Sequence, residues 1–219
     1  MLQENYRTVY QGGTGEIIEK KSRFIANILP VTTEEEALAF IERMKKTYWD
    51  ARHNCSAYVI GFHPELQRCS DDGEPAKTAG RPMLDVLINE GLRNTAVVVT
   101  RYFGGTLLGT GGLVRAYTEA VKAGLANSTI IEKQFGHRLM VQTDYNGIGK
   151  LQYLAAQADL KLLTTDYTDI VTCTLFVTPE AEPAFLKKWN EQTSGQSLVE
   201  HLEPCFCAML DGSPVIFPE

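Results

Sequence analysis

One stretch of this sequence constrains the fold most: a strand, a glycine-rich turn and a helix that follow one another directly. The strand is the β-branched run Thr95–Thr100, whose composition is typical of a strand buried on both faces. Five glycines follow at positions 104, 105, 109, 111 and 112, and a helical pattern begins at Leu113. This order places unpaired backbone N–H groups and the positive end of a helix dipole at one spot, which predicts an anion site.

Two arginines and several aromatic residues flank these glycines. Arg101 precedes the turn, Arg115 lies in the predicted first turn of the helix, and both could donate charge-assisted hydrogen bonds. The stretch lacks the Gly-Lys-Ser/Thr sequence of a P-loop, and it lacks the third glycine of the dinucleotide fingerprint because position 114 is Val114. The aromatic residues could stack on bases or could simply fill space beside glycine; they are Tyr102, Phe103 and Tyr117. The glycines could equally serve only tight turns and close packing.

A polar loop over residues 63–79 is a second candidate segment, since it is longer than most connections. Its acidic residues Asp71, Asp72 and Glu74 lie close in sequence to Lys77 and Thr78. Such carboxylates could hold Mg²⁺ for a phosphate ligand, or they could form turns and pair with a nearby arginine such as Arg101 or Arg81. We predict no resident cofactor or metal, with Mg²⁺ as the alternative.

His53 and Cys55 precede this loop and share one face if the chain there is extended. With His63 and Cys69 they suggest a metal site, but a His-x-Cys pair is not a standard zinc spacing. A Cys–His nucleophilic pair stays open, although nothing nearby in sequence would orient the base. A half-buried histidine at a sheet edge beside a packed cysteine is the interpretation we favour.

The central stretch resembles the signature of the IMPACT (YigZ-like) family. The resemblance is carried by Gly80, Met83, Leu84, Leu87, Leu92, Val98, Val99, Arg101–Gly105, Leu108 and Gly109, and by the blocks Asp71–Pro75 and Thr78–Gly80. It covers roughly residues 1–130, and the remainder is similar to the second domain of bacterial members. The resemblance implies a link to translational control and no known reaction.

The rest of the pattern predicts an α+β protein of two domains. Residues 1–135 should form an IMPACT-like sheet with helices, of the ribosomal-protein-like βαβα type, after a mobile lead-in over residues 1–13. Thr33 and Glu36 fit a capping box that begins its first helix. Residues 136–219 read as βαββαβ, the ferredoxin-like order, and the resemblance implies a likeness to the last domain of elongation factor G. Gly136, between strand-like segments 130–135 and 138–143, marks the expected boundary.

Charge is distributed unevenly between these halves. Residues 1–135 hold 16 Lys+Arg and 16 Asp+Glu, whereas residues 136–219 hold 5 and 11. The acidic second half argues against a simple electrostatic clamp on nucleic acid. Five scattered cysteines are typical of free thiols in a reducing compartment, and neither a signal peptide nor a membrane-spanning run is evident. We therefore expect a cytoplasmic protein without a membrane partner.

Two functions from different classes follow. The first is a non-enzymatic regulator that binds RNA, the ribosome or a translation factor through residues 1–135. The second is an enzyme or sensor of a phosphorylated small molecule or nucleotide, with the glycine turn for phosphate, Asp72 and Glu74 for metal, and His53 as acid/base. A protein–protein adaptor without a ligand is a third. The predicted site residues are Arg101, Tyr102, Phe103, Gly104, Gly105, Gly109, Gly112, Arg115 and Tyr117, with His53, Asp72, Glu74, Lys77 and Thr78 in the second loop.

Overall fold

The structure is a computed structural model that describes residues 5–61 and 66–218. It divides into two compact units, Tyr6–Ile131 and Glu132–Glu219, the second also taking in Asn5. Each unit combines a β-sheet with helices, so the predicted α+β class is confirmed.

The first unit is built around a five-stranded antiparallel sheet. Its elements in chain order are β1 Tyr6–Gln11, β2 Thr14–Glu19, β3 Ser22–Pro30, α1 Glu34–Thr47, β4 His53–Ile60, β5 Leu66–Ser70, α2 Gly80–Asn89, β6 Leu92–Arg93, β7 Thr95–Tyr102 and α3 Thr110–Ala126. The sheet order is β2-β3-β7-β4-β5, and β1 pairs in parallel with the short β6. Strand β7 therefore lies at the centre, as its composition predicts.

Helices cover both faces of this sheet. Alternate residues of β7 point to opposite faces: Val97 and Val99 join the core beneath α2 and α3, whereas Ala96 and Val98 join the core beneath α1. Helix α1 begins at the predicted cap, where Thr33 Oγ1 accepts from Glu36 N at 3.2 Å. The Glu36 carboxylate completes the cap by accepting from Thr32 N at 2.6 Å.

The second unit has the predicted βαββαβ order with one more strand at the end. Its elements are β8 Thr129–Thr143, which begins in the first unit, then α4 Ile148–Gln157, β9 Lys161–Tyr167, β10 Val171–Val177, α5 Glu182–Thr193, β11 Val199–Leu210 and β12 Ser213–Pro218. Strand pairing gives the order β12-β11-β8-β10-β9. Its main core includes residues of β8 and β10 with α4 and α5, among them Leu139, Leu175, Leu151 and Trp189.

Three expectations about strands are corrected. Residues 6–11 form β1 rather than a mobile lead-in, because β6 supplies a partner that lies far away in sequence. The loop predicted over 63–79 contains β5, which pairs with β4. Segments 130–135 and 138–143 belong to the single strand β8, where a Cβ on Gly136 would lie 2.3 Å from the carbonyl oxygen of Val177. This glycine allows close strand approach and does not interrupt the strand.

Helix α3 starts earlier than the sequence pattern suggests, at Thr110 instead of Leu113. Gly109 precedes it with φ +74, a conformation that favours glycine. Gly111 and Gly112 therefore belong to the first helical turn. Among the described residues, no helix is both long and apolar enough to cross a bilayer.

Candidate functional site at the glycine-rich loop

Arg101 lies inside the first unit, on the face of β7 that packs toward α3. Its Nη1 donates to Glu74 Oε1 at 2.6 Å, and the two side chains are only 7% and 3% exposed. The guanidinium also lies over the rings of Phe24, at 5.4 Å, and Phe103, at 5.7 Å. A buried permanent charge requires such a partner. Of the two alternatives predicted for the acidic loop, the ion pair with Arg101 is therefore the one present in the structure.

Two further groups complete what we call the Arg101–Glu74 cluster: Arg101, Glu74, Tyr117 and Cys55. The Tyr117 hydroxyl donates to Glu74 Oε1 at 2.9 Å, and Cys55 Sγ donates to Tyr117 OH at 3.3 Å. Burial raises the pKa of Tyr117 and the pKa of Cys55 well above their ordinary values, and nearby negative charge adds to both shifts. Both groups are therefore protonated at neutral pH, which argues against a Cys55 nucleophile.

The acidic loop is folded around its own carboxylates. Asp71 accepts from the backbone N–H groups of Lys77, Ala79 and Gly80 at 2.8, 3.0 and 2.8 Å. It thus occupies the place that an external anion would take at the N-terminus of α2. Asp72 Oδ2 accepts from Asn54 N at 2.7 Å, so β4 holds this end of the loop.

The remaining predicted residues of this loop also bond to the chain itself. His53 Nδ1 donates to the backbone carbonyl of Asp72 at 2.9 Å, and Thr78 Oγ1 donates to that of Pro75 at 2.7 Å. Lys77 is exposed, with φ +65. His53 and Cys55 share a face of β4 but bond to different groups, whereas His63 lies outside the described residues. No cluster of three or more His, Cys, Asp or Glu in the described ranges is placed to hold a metal ion.

The glycine-rich loop packs tightly against the β2–β3 turn. A Cβ on Gly104 would lie 2.0 Å from the backbone carbon of Lys21, and Gly104 N donates to Ser22 Oγ at 3.1 Å. Gly105 adopts φ +85 and leaves open space beside its Cα. A Cβ on Gly112 would lie 2.9 Å from that of Leu108. Close packing and positive φ thus account for glycine at these positions.

An exposed surface remains where the loop and the turn meet. We define the loop face as Lys20, Lys21, Phe103, Leu107 and Arg115, all exposed, with Phe103 53% and Leu107 83% exposed. Lys20 and Arg115 line one cavity of about 250 Å³ together with Glu19 and Glu119, of which Glu119 is paired with Lys122 at 2.9 Å. The structure therefore separates the two predicted arginines, since Arg115 is on this surface and Arg101 is inside.

Tyr102 is also separated from this surface. It points to the opposite face of β7, where its hydroxyl donates to Asp50 Oδ1 at 2.7 Å. Lys20, Lys21 and Leu107 were not among the site residues predicted from the sequence. Positive φ at both lysines shows that they form the turn between β2 and β3, a place usually taken by asparagine or glycine. In the sequence, this turn is indicated by the short interval between two strand-like segments, residues 15–20 and 23–29.

Two domain families match separate parts of the chain. Residues 20–125 match the Impact N-terminal domain, and residues 141–196 match a domain of unknown function, DUF1949. The chain is 41% identical over 199 residues to the IMPACT family member YvyE of Bacillus subtilis, covering 91% of this chain and 92% of that protein. The chain belongs to the IMPACT family.

Two other relatives extend this result. The IMPACT family member YigZ of Escherichia coli is 42% identical over 154 residues, which are 69% of this chain and 76% of that protein. A crystal structure described as that of a hypothetical protein matches with a TM-score of 0.59 and 34% identity, covering 92% of this chain and 99% of the other. The resemblance proposed from the sequence is therefore confirmed.

Proposed function

We propose that the protein is a non-enzymatic, translation-associated regulator that binds RNA, on the ribosome or free, through the loop face. Membership of the IMPACT family supports the link to translation, since that is what the family resemblance implies. The observation that carries the binding proposal is the loop face itself. It combines three exposed cations with exposed Phe103 and Leu107. Of the two glutamates in the adjoining cavity, Glu119 is paired with Lys122, which leaves Glu19 as the opposing charge.

The chemistry of this surface suits a single-stranded nucleic acid. Lysine and arginine side chains neutralise phosphates, while an exposed aromatic ring offers a stacking platform for a base. Phe103 is held in place from beneath by the Arg101 guanidinium, so its ring is supported before any base arrives. The excess of acidic residues over 136–219 would repel phosphates from the second unit.

The alternative function needs groups that the first unit uses internally. A phosphate-binding enzyme of the expected kind requires a free Glu74 carboxylate for metal and an available Arg101 for the anion. Both are buried and paired with each other. A translation factor recognised by the same loop face is the competing outcome that the experiment below distinguishes.

Binding of a fluorescent single-stranded RNA to the full chain tests this proposal. We expect affinity to fall with salt, with a slope near −2 for about three neutralised phosphates in a single strand. Replacing Lys20, Lys21 and Arg115 together by Gln should weaken binding at least tenfold and flatten the salt dependence. The matched control removes three exposed lysines elsewhere, Lys46, Lys187 and Lys188, and should behave as the unaltered protein.

Phe103→Ala isolates stacking from charge. It should weaken binding by about 1–3 kcal/mol, a factor of roughly 5 to 150, without altering the salt slope. Equal affinity of the two triple variants would remove the loop face as the RNA site. Binding to ribosome-depleted translation factors but not to RNA or ribosomes would favour the protein partner instead.

A further inference from the structure

One arginine of the second unit, Arg138, has a buried donor without an acceptor. Arg138 follows the strand alternation of β8, so it points away from the core that Leu139 enters beneath α4 and α5. Its Nε is buried and has no hydrogen-bond partner within the described residues. Such an orphaned donor is costly, and a guanidinium cannot lose its proton to escape the cost.

A cavity of about 480 Å³ adjoins this side chain. It is lined by Arg138, Glu203, Pro204, Cys205, Ile216 and Pro218. The pairing of β11 with β8 shifts register between His201 and Pro204, which interrupts the strand ladder at the cavity. Burial raises the pKa of the Cys205 thiol, and the charge of Arg138 opposes that rise, so the guanidinium acts electrostatically on the cavity wall.

We propose that this cavity binds a carboxylate carried on an apolar group, with the carboxylate oxygens on the two Nη groups of Arg138, because the buried Nε lies out of a ligand's reach. The planar guanidinium presents paired donors that match the two oxygens of a carboxylate. Ile216, Pro204 and Pro218 provide apolar walls for the attached hydrocarbon.

The charged residues that line the cavity favour a monoanion over a phosphate dianion. Arg138 is the single cation that lines the cavity within the described residues, and Glu203 lies on the same wall. A phosphate dianion would be opposed by that carboxylate and would meet no second cation. Two sources share the selected chemistry, a free carboxylic acid and the C-terminal carboxylate of a polypeptide.

The test is a titration of the ¹⁵N-labelled full chain with hexanoate, followed by NMR. The Nε–H resonance of Arg138 is identified by its absence from Arg138→Lys. We expect it to shift saturably, with a Kd on the order of 1 mM. Hexanamide and inorganic phosphate should give no saturable shift. An apolar hexapeptide with a free C-terminus, compared with its C-terminal amide, shows whether a polypeptide terminus is accepted as well as, or instead of, the free acid.

Variants of Arg138 and Glu203 distinguish a bidentate contact with the carboxylate from attraction by the positive charge alone. Arg138→Lys keeps the charge but loses the paired Nη donors and should weaken hexanoate binding at least tenfold, with the backbone amides of Cys205 and Ile216 as reporters. Lys188→Gln, an exposed change on α5, should leave the affinity unchanged. Glu203→Gln removes the opposing carboxylate and should tighten binding about twofold.

The proposal is overturned if neither carboxylate probe saturates at ten times the expected Kd, or if hexanamide binds as well as hexanoate. It is also overturned if Arg138→Lys retains the full affinity. If Arg138→Lys does not fold, a changed Trp189 emission will show it. The comparison of hexanoate with hexanamide and the affinity of Glu203→Gln for hexanoate then still test the proposal.

Discussion

At the scale of single residues, the Arg101–Glu74 pair determines what the glycine-rich loop can do. The pair joins β7 to the acidic loop, and Tyr117 of α3 donates to the same carboxylate oxygen. Three elements therefore depend on one buried carboxylate. The sequence offered an ion pair of the acidic loop with Arg101 or Arg81 as one alternative, and it left open whether Arg101 serves a ligand or the fold. Burial decides that question, because a guanidinium that is 7% exposed needs an internal counter-charge.

Removing this carboxylate should strongly destabilise the first unit. In Glu74→Ala the Arg101 charge and the Tyr117 hydroxyl lose their acceptor, and we expect a loss of about 3–5 kcal/mol. Native-state hydrogen exchange, followed on peptides from β4 and β7, measures this loss of stability. The matched control is Glu16→Ala, which breaks the exposed pair with Arg23 and should cost less than about 1 kcal/mol. The double change Arg101→Met with Glu74→Leu should recover much of the loss, and equal costs for the two single variants would contradict the assignment.

At the scale of elements, the start of α2 shows a limit of sequence patterns. Ala79 occupies the N-cap position and makes no side-chain cap. Asp71, eight residues earlier, accepts from Ala79 N and Gly80 N in its place. The helix itself was predictable from its apolar spacing, and α1 also from its Thr33 cap. A cap supplied from a folded loop was not predictable, because local rules describe only neighbouring residues.

Asp71→Ala should therefore loosen α2 and the loop together. Three backbone N–H groups lose their acceptor, and we expect a cost of about 1–3 kcal/mol. Backbone amide exchange at residues 77–80 should accelerate more than exchange in α3. Asp85→Ala, which only breaks the exposed pair with Arg81, serves as the control and should cost less than about 0.5 kcal/mol. Unchanged protection at residues 77–80 would show that Asp71 does not cap the helix.

At the scale of the molecule, the sequence predicted the two fold types better than the details of strand pairing. The βαββαβ order was readable because each of its elements carries a clear periodicity. Strand β1 was missed since its partner β6 has only two residues and lies 85 positions away, at the pairing of Arg7 with Leu92. Within the site, Lys20 and Lys21 were missed for a similar reason. Their position beside Gly104 results from packing between distant segments, which no local pattern records.

Each unit has its own core, so the second should fold without the first. A fragment of residues 132–219 retains the paired residues of β8, β10 and β11. Trp189 reports on its packing, since it is 1% exposed and its Nε1 donates to Ser197 Oγ at 2.9 Å. We expect the fragment and the full chain carrying Trp49→Phe to share a urea midpoint of Trp189 emission within about 0.5 M. The free energy of unfolding falls by about 1–2 kcal/mol per molar urea. A midpoint difference of that size therefore limits any stabilisation of the second unit by the first to about 1 kcal/mol.

Ser197→Ala should lower both midpoints equally, because it removes the same hydrogen bond in each. A fragment without a cooperative transition, or a midpoint lower by more than about 1 M, would show that the second unit depends on the first for its stability.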